Sequence, residues 1–144
     1  MASGITWTVA PRALGAQITT KIERTRADIE QLVRGVVDDG ANDMRRFILA
    51  AVTKTGQERA ATGAGKPGRY ETGTMYDAVS SDVKTFGDET VGEFGWLNLV
   101  LDYFMMQEEG TSRIEAMHAL QQAFTNASEQ FQLEINQLVR TNFA

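Results

Sequence analysis

The chain has no cysteine, one histidine and two prolines among its 144 residues. Without cysteine there is no disulfide framework, no thiolate ligand for a metal ion and no cysteine nucleophile. One histidine is too few for a metal site built from several imidazoles, so we predict no bound metal and no cofactor. Long apolar runs are also missing, and Met1 to Ala10 carries no cation, so we expect neither a membrane span nor a secretory signal.

Basic charge is in short supply, because 14 lysines and arginines stand against 19 aspartates and glutamates, for a net charge of −5. This balance argues against a generally basic nucleic-acid-binding domain. Hydrophobic residues make up 42% and charged residues 23%, which is ordinary globular usage and excludes wholesale disorder. The length predicts a single domain over residues 1–144.

A long apolar stripe at three-, four- and seven-residue steps begins near Ala13 and keeps its phase through Gly40. It favours one long helix of about 43 residues, or about 65 Å at 1.5 Å per residue. Asp38-Asp39-Gly40 also matches a turn, so a helix kinked or broken there is the alternative. A compact chain of this length has a diameter of only roughly 37 Å, so we expect part of the stripe to contact another subunit. The stripe residues predicted at this subunit interface are Ile22, Ile29, Val36 and Phe47.

The rest of the chain predicts an α+β fold with a small antiparallel sheet. Gly4 to Val9 alternates like a short edge strand, and a flexible, Gly- and Pro-rich basic loop is predicted at about 54–73. A hairpin at about 79–96 turns at Gly87, Asp88 and Glu89, and a short helix follows at about 98–109. A capping box from Ser112 to Glu115 predicts a long C-terminal helix at about 113–142.

Few residues suggest catalysis. The glycines from Gly63 to Gly68 match a dinucleotide fingerprint in letters only, because they follow a helix and include Pro67 where a helix should open. His118 has too few partners for a ligand set, so we interpret it as a surface or interface residue. Glu108–Glu109 and Asp38–Asp39 are helix neighbours that point about 100° apart, which predicts solvated faces rather than carboxylate dyads. We therefore predict that the chain is not an enzyme.

Two regions indicate binding instead. The loop at 54–73 is basic, and its Arg59, Lys66 and Arg69 are candidates for contact with DNA or with an acidic partner. Aromatic and methionine side chains crowd the segment after Trp96, where they are expected to anchor the core or an interface. The residues predicted at a subunit interface there are Tyr103, Phe104, Met105 and Met106.

Two short motifs, in this order along the chain, carry a resemblance to a known family. The basic loop ends in Thr72-Gly73-Thr74-Met75-Tyr76-Asp77-Ala78-Val79 before the hairpin, and an aromatic segment ends in Glu108-Glu109-Gly110-Thr111-Ser112 before the last helix. This arrangement resembles the tail-completion (head–tail joining, neck) proteins of long-tailed siphophages over residues 14 to 143. The motif residues that carry the match are Thr72, Gly73, Met75, Glu109, Gly110 and Thr111.

The motifs also have a physical interpretation as corners of the fold. Gly73 permits a sharp backbone turn after the loop, and Thr72 can cap the helical turn that follows. Gly110 is expected to end one helix in left-handed geometry, while Thr111 and Ser112 cap the next helix.

The resemblance implies a non-enzymatic virion protein at the head–tail junction, assembled in the bacterial host cytoplasm. It implies a homo-oligomeric ring, most simply a hexamer, whose partners are connector or stopper, tail-terminator or tail-tube proteins, with genomic DNA in the channel. A tail terminator or stopper ring remains an alternative, because length and composition do not separate these subtypes. From another class, a cytosolic helical adaptor or regulatory protein would bind one partner through the long helix.

Overall fold

The computed structural model describes residues 2–8, 16–51, 68–70 and 73–143, with side chains from residue 21 onward. Along the chain the elements are β1 (Ala2–Thr8), α1 (Ala16–Ala50), α2 (Thr74–Asp77), β2 (Val79–Phe86), β3 (Glu89–Trp96), α3 (Asp102–Glu109) and α4 (Ala119–Phe143). This is the predicted α+β architecture, with a long first helix, an antiparallel hairpin, short helices and a long last helix. Most of the loop predicted at 54–73 lies outside the described residues.

The sheet has three strands in the order β1-β3-β2, and both pairings are antiparallel. The N-terminal segment is therefore an edge strand, as its alternation predicted. Phe86 pairs with Glu89, so the hairpin turns on two residues rather than three, and Gly87 takes a positive φ of 58°. Two-residue turns of this kind need positive φ because their twist matches that of the strands.

The first helix is continuous through Gly40, as the unbroken phase of its stripe predicted. Gly40 is buried, and a Cβ built there would lie 2.6 Å from Cε1 of Phe94 on β3. Gly92 on β3 makes the reciprocal approach, since its Cβ would lie 2.4 Å from Cγ1 of Val33 and 2.7 Å from Cγ1 of Val37. These two glycines let the strand and the helix approach closely, so α1 stays whole and packs on the sheet.

The second long helix covers another side of α1. Asn142 Nδ2 donates to Thr25 Oγ1 and to Asp28 Oδ2, each at 3.1 Å, near the start of α1. Gln130 Nε2 donates to Asp39 Oδ2 at 3.0 Å, further along α1. The two helices are therefore antiparallel, and α4 also reaches β1.

From Ile22 onward, the apolar stripe of α1 is thus mostly covered within the chain. Ile29, Val33, Val36, Met44 and Ile48 are almost fully buried between α1, the sheet and α4. The expectation that the stripe needs a second subunit is wrong, because helix length alone did not reveal that α4 would fold back along it.

The helices α3 and α4 both begin later along the chain than predicted. Residues 97–101 have no regular structure, and Leu101 is the extended N-cap of α3, with φ −97° and ψ 149°. The last helix begins at Ala119, six residues after the predicted position. Thr111 Oγ1 accepts hydrogen bonds from the N–H groups of Arg113 and Ile114, at 3.2 and 3.1 Å, which closes a turn instead of opening a helix.

Candidate functional site

Residues 68–70 are held to α3 by a buried arginine. Arg69 is 6% exposed, and its Nη1 donates to the carbonyl oxygen and to Oε1 of Gln107, at 3.2 and 3.0 Å. Its Nη2 donates to the carbonyl oxygen of Glu115 at 2.6 Å. Burial lowers the pKa of Arg69, and the negative charges of Glu115 and Glu108 oppose that shift. Arg69 therefore ties two parts of this chain together. The expectation that it presents its charge to DNA or to an acidic partner is wrong.

The other two cations predicted at this surface, Arg59 and Lys66, lie outside the described residues. Gly68 explains how the chain reaches Arg69 from α1. It has a φ of 68°, and a Cβ there would lie 2.3 Å from the carbonyl oxygen of Leu49. The next residue, Arg69, donates its N–H to the carbonyl oxygen of Ile48 at 3.0 Å. Only glycine fits where the chain crosses the end of α1.

A glutamate from α3 caps the last helix. Glu108 is 2% exposed, and its Oε1 and Oε2 accept the N–H groups of Leu120 and Gln121 at 2.9 and 3.0 Å. A carboxylate at a helix N-terminus satisfies N–H groups that otherwise lack partners and complements the helix dipole. The prediction of a solvated Glu108 is wrong, whereas its neighbour Glu109 is exposed.

The chain between α3 and α4 folds back onto the end of α3. The N–H groups of Met117 and His118 donate to the carbonyl oxygens of Gln107 and Glu108, at 2.7 and 3.1 Å. His118 is exposed, with a φ of 53°, and its carbonyl oxygen accepts from Gln122 Nε2 at 3.1 Å. These backbone bonds and the Glu108 cap fix α3 against the start of α4.

The motif glycines lie at corners, as their conformational freedom predicted. Gly73 has a φ of 90°, and a Cβ there would lie 2.6 Å from the hydroxyl oxygen of Tyr70. Gly110 combines a φ of 78° with a ψ of 168°, a glycine region outside the predicted left-handed helix geometry. Met75 is buried, and its carbonyl oxygen accepts from Trp96 Nε1 at 2.9 Å. Thr72 lies outside the described residues.

The structure divides the predicted interface residues into two sets. Four of them pack inside this chain and are not available to a second subunit: Ile22, Ile29, Val36 and Phe104. Phe47 and Met105 are half-buried. Tyr103 and Met106 are 42% and 46% exposed and stay available.

An exposed apolar surface surrounds these last two residues. We define the apolar face as Leu99, Val100, Leu101, Tyr103 and Met106, whose side chains are 37 to 46% exposed. The sequence did not reveal the three aliphatic members as exposed, because a helix over 98–109 would have turned part of them inward. Contiguous apolar surface of this kind marks interaction sites more often than single exposed residues do.

The apolar face lies on a rigid base and is bordered by acids. Phe104 is fully buried beneath it, with ring centroids 5.2 Å from Trp96 and 4.7 Å from Tyr103. Asp102 and Glu109 on α3 are exposed, and residues 97–112 contain no lysine or arginine. The face therefore suits a partner with an apolar group and positive charge.

The described part of the chain contains no cluster of three or more histidine, cysteine, aspartate or glutamate residues placed to hold a metal ion. None of the described helices is long and apolar enough to cross a lipid bilayer. Comparison with protein-family models, with curated proteins and with solved structures finds no match to this chain.

Proposed function

We propose that this chain is a non-enzymatic structural protein of a tailed bacteriophage virion, acting in the neck as a tail-completion protein that joins tail to head. Two observations support the proposal: the order of the two sequence motifs along the chain, and the apolar face that the folded chain exposes. The motif glycines Gly73 and Gly110 come before α2 and after α3 along the chain, and the apolar face lies on α3 and on the segment that leads into it.

The apolar face is the observation that carries the proposal. Five apolar residues exposed on one short segment are the kind of grouped surface that marks interaction sites. Their base is fixed by the Arg69 tie and by the Glu108 cap, so presenting the face to a partner loses little conformational freedom. Such a preorganised surface supports assembly into a larger structure.

A ring is the assembly that fits a neck protein. A ring subunit uses two unlike surfaces, and the contact closes when the rotation between neighbours divides a full turn. We propose a homo-oligomer, most simply a hexamer, stacked on connector or stopper, tail-terminator or tail-tube rings at the head–tail junction. Arg59 and Lys66 stay candidates for contact with DNA in the channel of that ring or with an acidic neighbouring ring.

Electron imaging with mass measurement tests the proposal. The protein is expressed alone and together with the products of neighbouring genes, and light scattering gives the mass of each species. A ring, or density at the head–tail junction, is the expected result. Binding to tail tubes that lack heads would instead favour a tail terminator. A monomer or dimer that binds neither heads nor tails in any mixture would contradict the neck assignment and favour a soluble adaptor.

A further inference from the structure

The end of the molecule opposite the apolar face carries an exposed aromatic residue with cations around it. Phe143, in the last turn of α4, is 48% exposed. Asn142 beside it bonds to Thr25, and Lys21 lies one helical turn before Thr25 on α1. We define the basic end as Lys21, Arg24, Arg140 and Phe143, all exposed.

The two surfaces lie far apart on one rigid body. The apolar face is tied to the end of α1 through Arg69, whose N–H donates to Ile48, while the basic end adjoins Thr25. Thr25 and Ile48 are 23 positions apart in a continuous helix, which corresponds to about 35 Å at 1.5 Å per residue. The two surfaces therefore cannot meet within one copy, and a contact between them requires a second copy.

Charge selects a head-to-tail contact over a face-to-face one. Asp102 and Glu109 border the apolar face, and two such faces brought together would oppose like charges. Among the described residues at the basic end, Lys21, Arg24 and Arg140 are exposed cations and Glu23 is an exposed acid. The positive balance of the basic end complements the acidic border, and Phe143 offers an aromatic anchor for the apolar centre.

We propose that the apolar face of one copy binds the basic end of the next copy, so that the chain associates head to tail. The partner for the apolar face is thus a second copy of this chain. This contact is heterologous, and repeating it gives a ring if the rotation closes and a filament if it does not. The inference rests on the proposed ring but makes its own claim, because it names the two surfaces that meet.

Sedimentation velocity of the full chain over a range of concentrations tests this pairing. Met106→Gln alters the face, and Lys21→Glu with Arg24→Glu alters the basic end. Each change is expected to raise the concentration needed for half-assembly about tenfold or more, because central apolar anchors and complementary charges dominate interfaces. Leu133→Gln is the matched control, since Leu133 is 72% exposed on α4 but belongs to neither surface. It should assemble like the wild type.

A charge exchange separates a specific contact from a general loss of solubility. Asp102→Lys with Glu109→Lys should weaken assembly when these are the only changes in the chain. The same two changes combined with Lys21→Glu and Arg24→Glu should restore assembly. Circular dichroism of every variant confirms the fold before the comparison. A wild type that stays monomeric at its highest soluble concentration would overturn the pairing, and so would a face-to-face dimer that ignores the basic-end changes.

The failure of this inference is distinguishable from the failure of the proposed function. A ring at the head–tail junction whose stability none of these changes affects would refute the two surfaces and leave the neck assignment intact. Head-to-tail oligomers that obey the charge exchange but bind neither heads nor tails would support the surfaces and contradict the neck assignment.

Discussion

Two glycines in the same helix differ in what lies beside them. Gly40 faces the ring of Phe94, which is fully buried, whereas no heavy atom lies within 4 Å of a Cβ built at Gly35. Glycine weakens a helix by roughly 1 kcal/mol relative to alanine, so a glycine inside a helix is expected where a larger side chain would not fit. Only Gly40 has such a reason, which is the close approach of β3 to α1.

Alanine at these two positions should therefore change stability in opposite directions. Gly35→Ala should raise the free energy of unfolding by about 0.5 to 1 kcal/mol, since it removes backbone freedom from the unfolded chain. Gly40→Ala should lower it by about 1 to 3 kcal/mol, because the new methyl group would displace the Phe94 ring. Urea denaturation measures both. Equal stabilisation by the two changes would contradict the packing of β3 on α1.

The cap of α4 gives a second contrast between neighbouring residues. Glu108→Gln should cost about 1 to 2 kcal/mol, because an amide loses the charge and can offer only one acceptor oxygen to the two N–H groups. Glu109→Gln is the control, and at a dilution where the chain is monomeric it should stay within about 0.5 kcal/mol of the wild type, as exposed positions usually do. Chemical denaturation measures the cost, and hydrogen exchange at Leu120 and Gln121 locates it. Unchanged exchange in Glu108→Gln would refute the cap.

At the scale of elements, periodicity and turn chemistry predicted most of the fold. The stripe of α1 and the alternation around Gly87 depend on local spacing, which the sequence records directly. The start of α4 was misplaced because Ser112 to Glu115 matches a capping box locally. The true cap comes from Glu108, on another helix, and no local pattern records that contact.

The candidate site was only partly predictable for the same reason. Tyr103 and Met106 were predicted at a subunit interface because aromatic and methionine residues crowd that segment, and both side chains are exposed. Arg69 was assigned to a binding loop because its neighbours in sequence are basic, yet its bonds to Gln107 and Glu115 bury it. Those partners are 38 and 46 residues away, beyond the reach of local charge counting.

The Arg69 tie should be specific to the guanidinium. Arg69→Lys keeps the charge but cannot place donors on both Gln107 and Glu115, so we expect a loss of about 1 to 3 kcal/mol in unfolding free energy. Arg113→Lys, at an exposed position, should have little effect. Denaturant titration followed by tryptophan fluorescence in a Trp7→Phe background measures both changes, since Trp96 is then the reporting tryptophan and packs on Phe104 of α3. Equal behaviour of the two variants would contradict the tie.

At the scale of the whole molecule, α1 and α4 form a long antiparallel pair with the sheet on α1 and exposed apolar groups near both ends. From Ile22 onward, α4 and the sheet cover most of the stripe of the first helix, so the length of that helix no longer argues for an oligomer. The reason to expect an oligomer is instead the two surfaces that stay exposed, the apolar face and the basic end.

Head-to-tail association should make thermal stability depend on protein concentration. Assembly stabilises only the folded chain, so the Tm of the wild type should rise with concentration by mass action. The Tm of Met106→Gln should be much less dependent on concentration, while that of Leu133→Gln should follow the wild type. Scanning calorimetry over a dilution series measures this. A wild-type Tm that does not change with concentration would contradict self-association.

The neck assignment is tested most directly by electron cryo-microscopy of particles assembled in the host with and without this chain. With the chain present, we predict a ring of its copies at the junction between head and tail. Without it, filled heads and finished tails should accumulate separately. Joined, infectious particles that lack the chain, together with no density for it at the junction, would contradict the account.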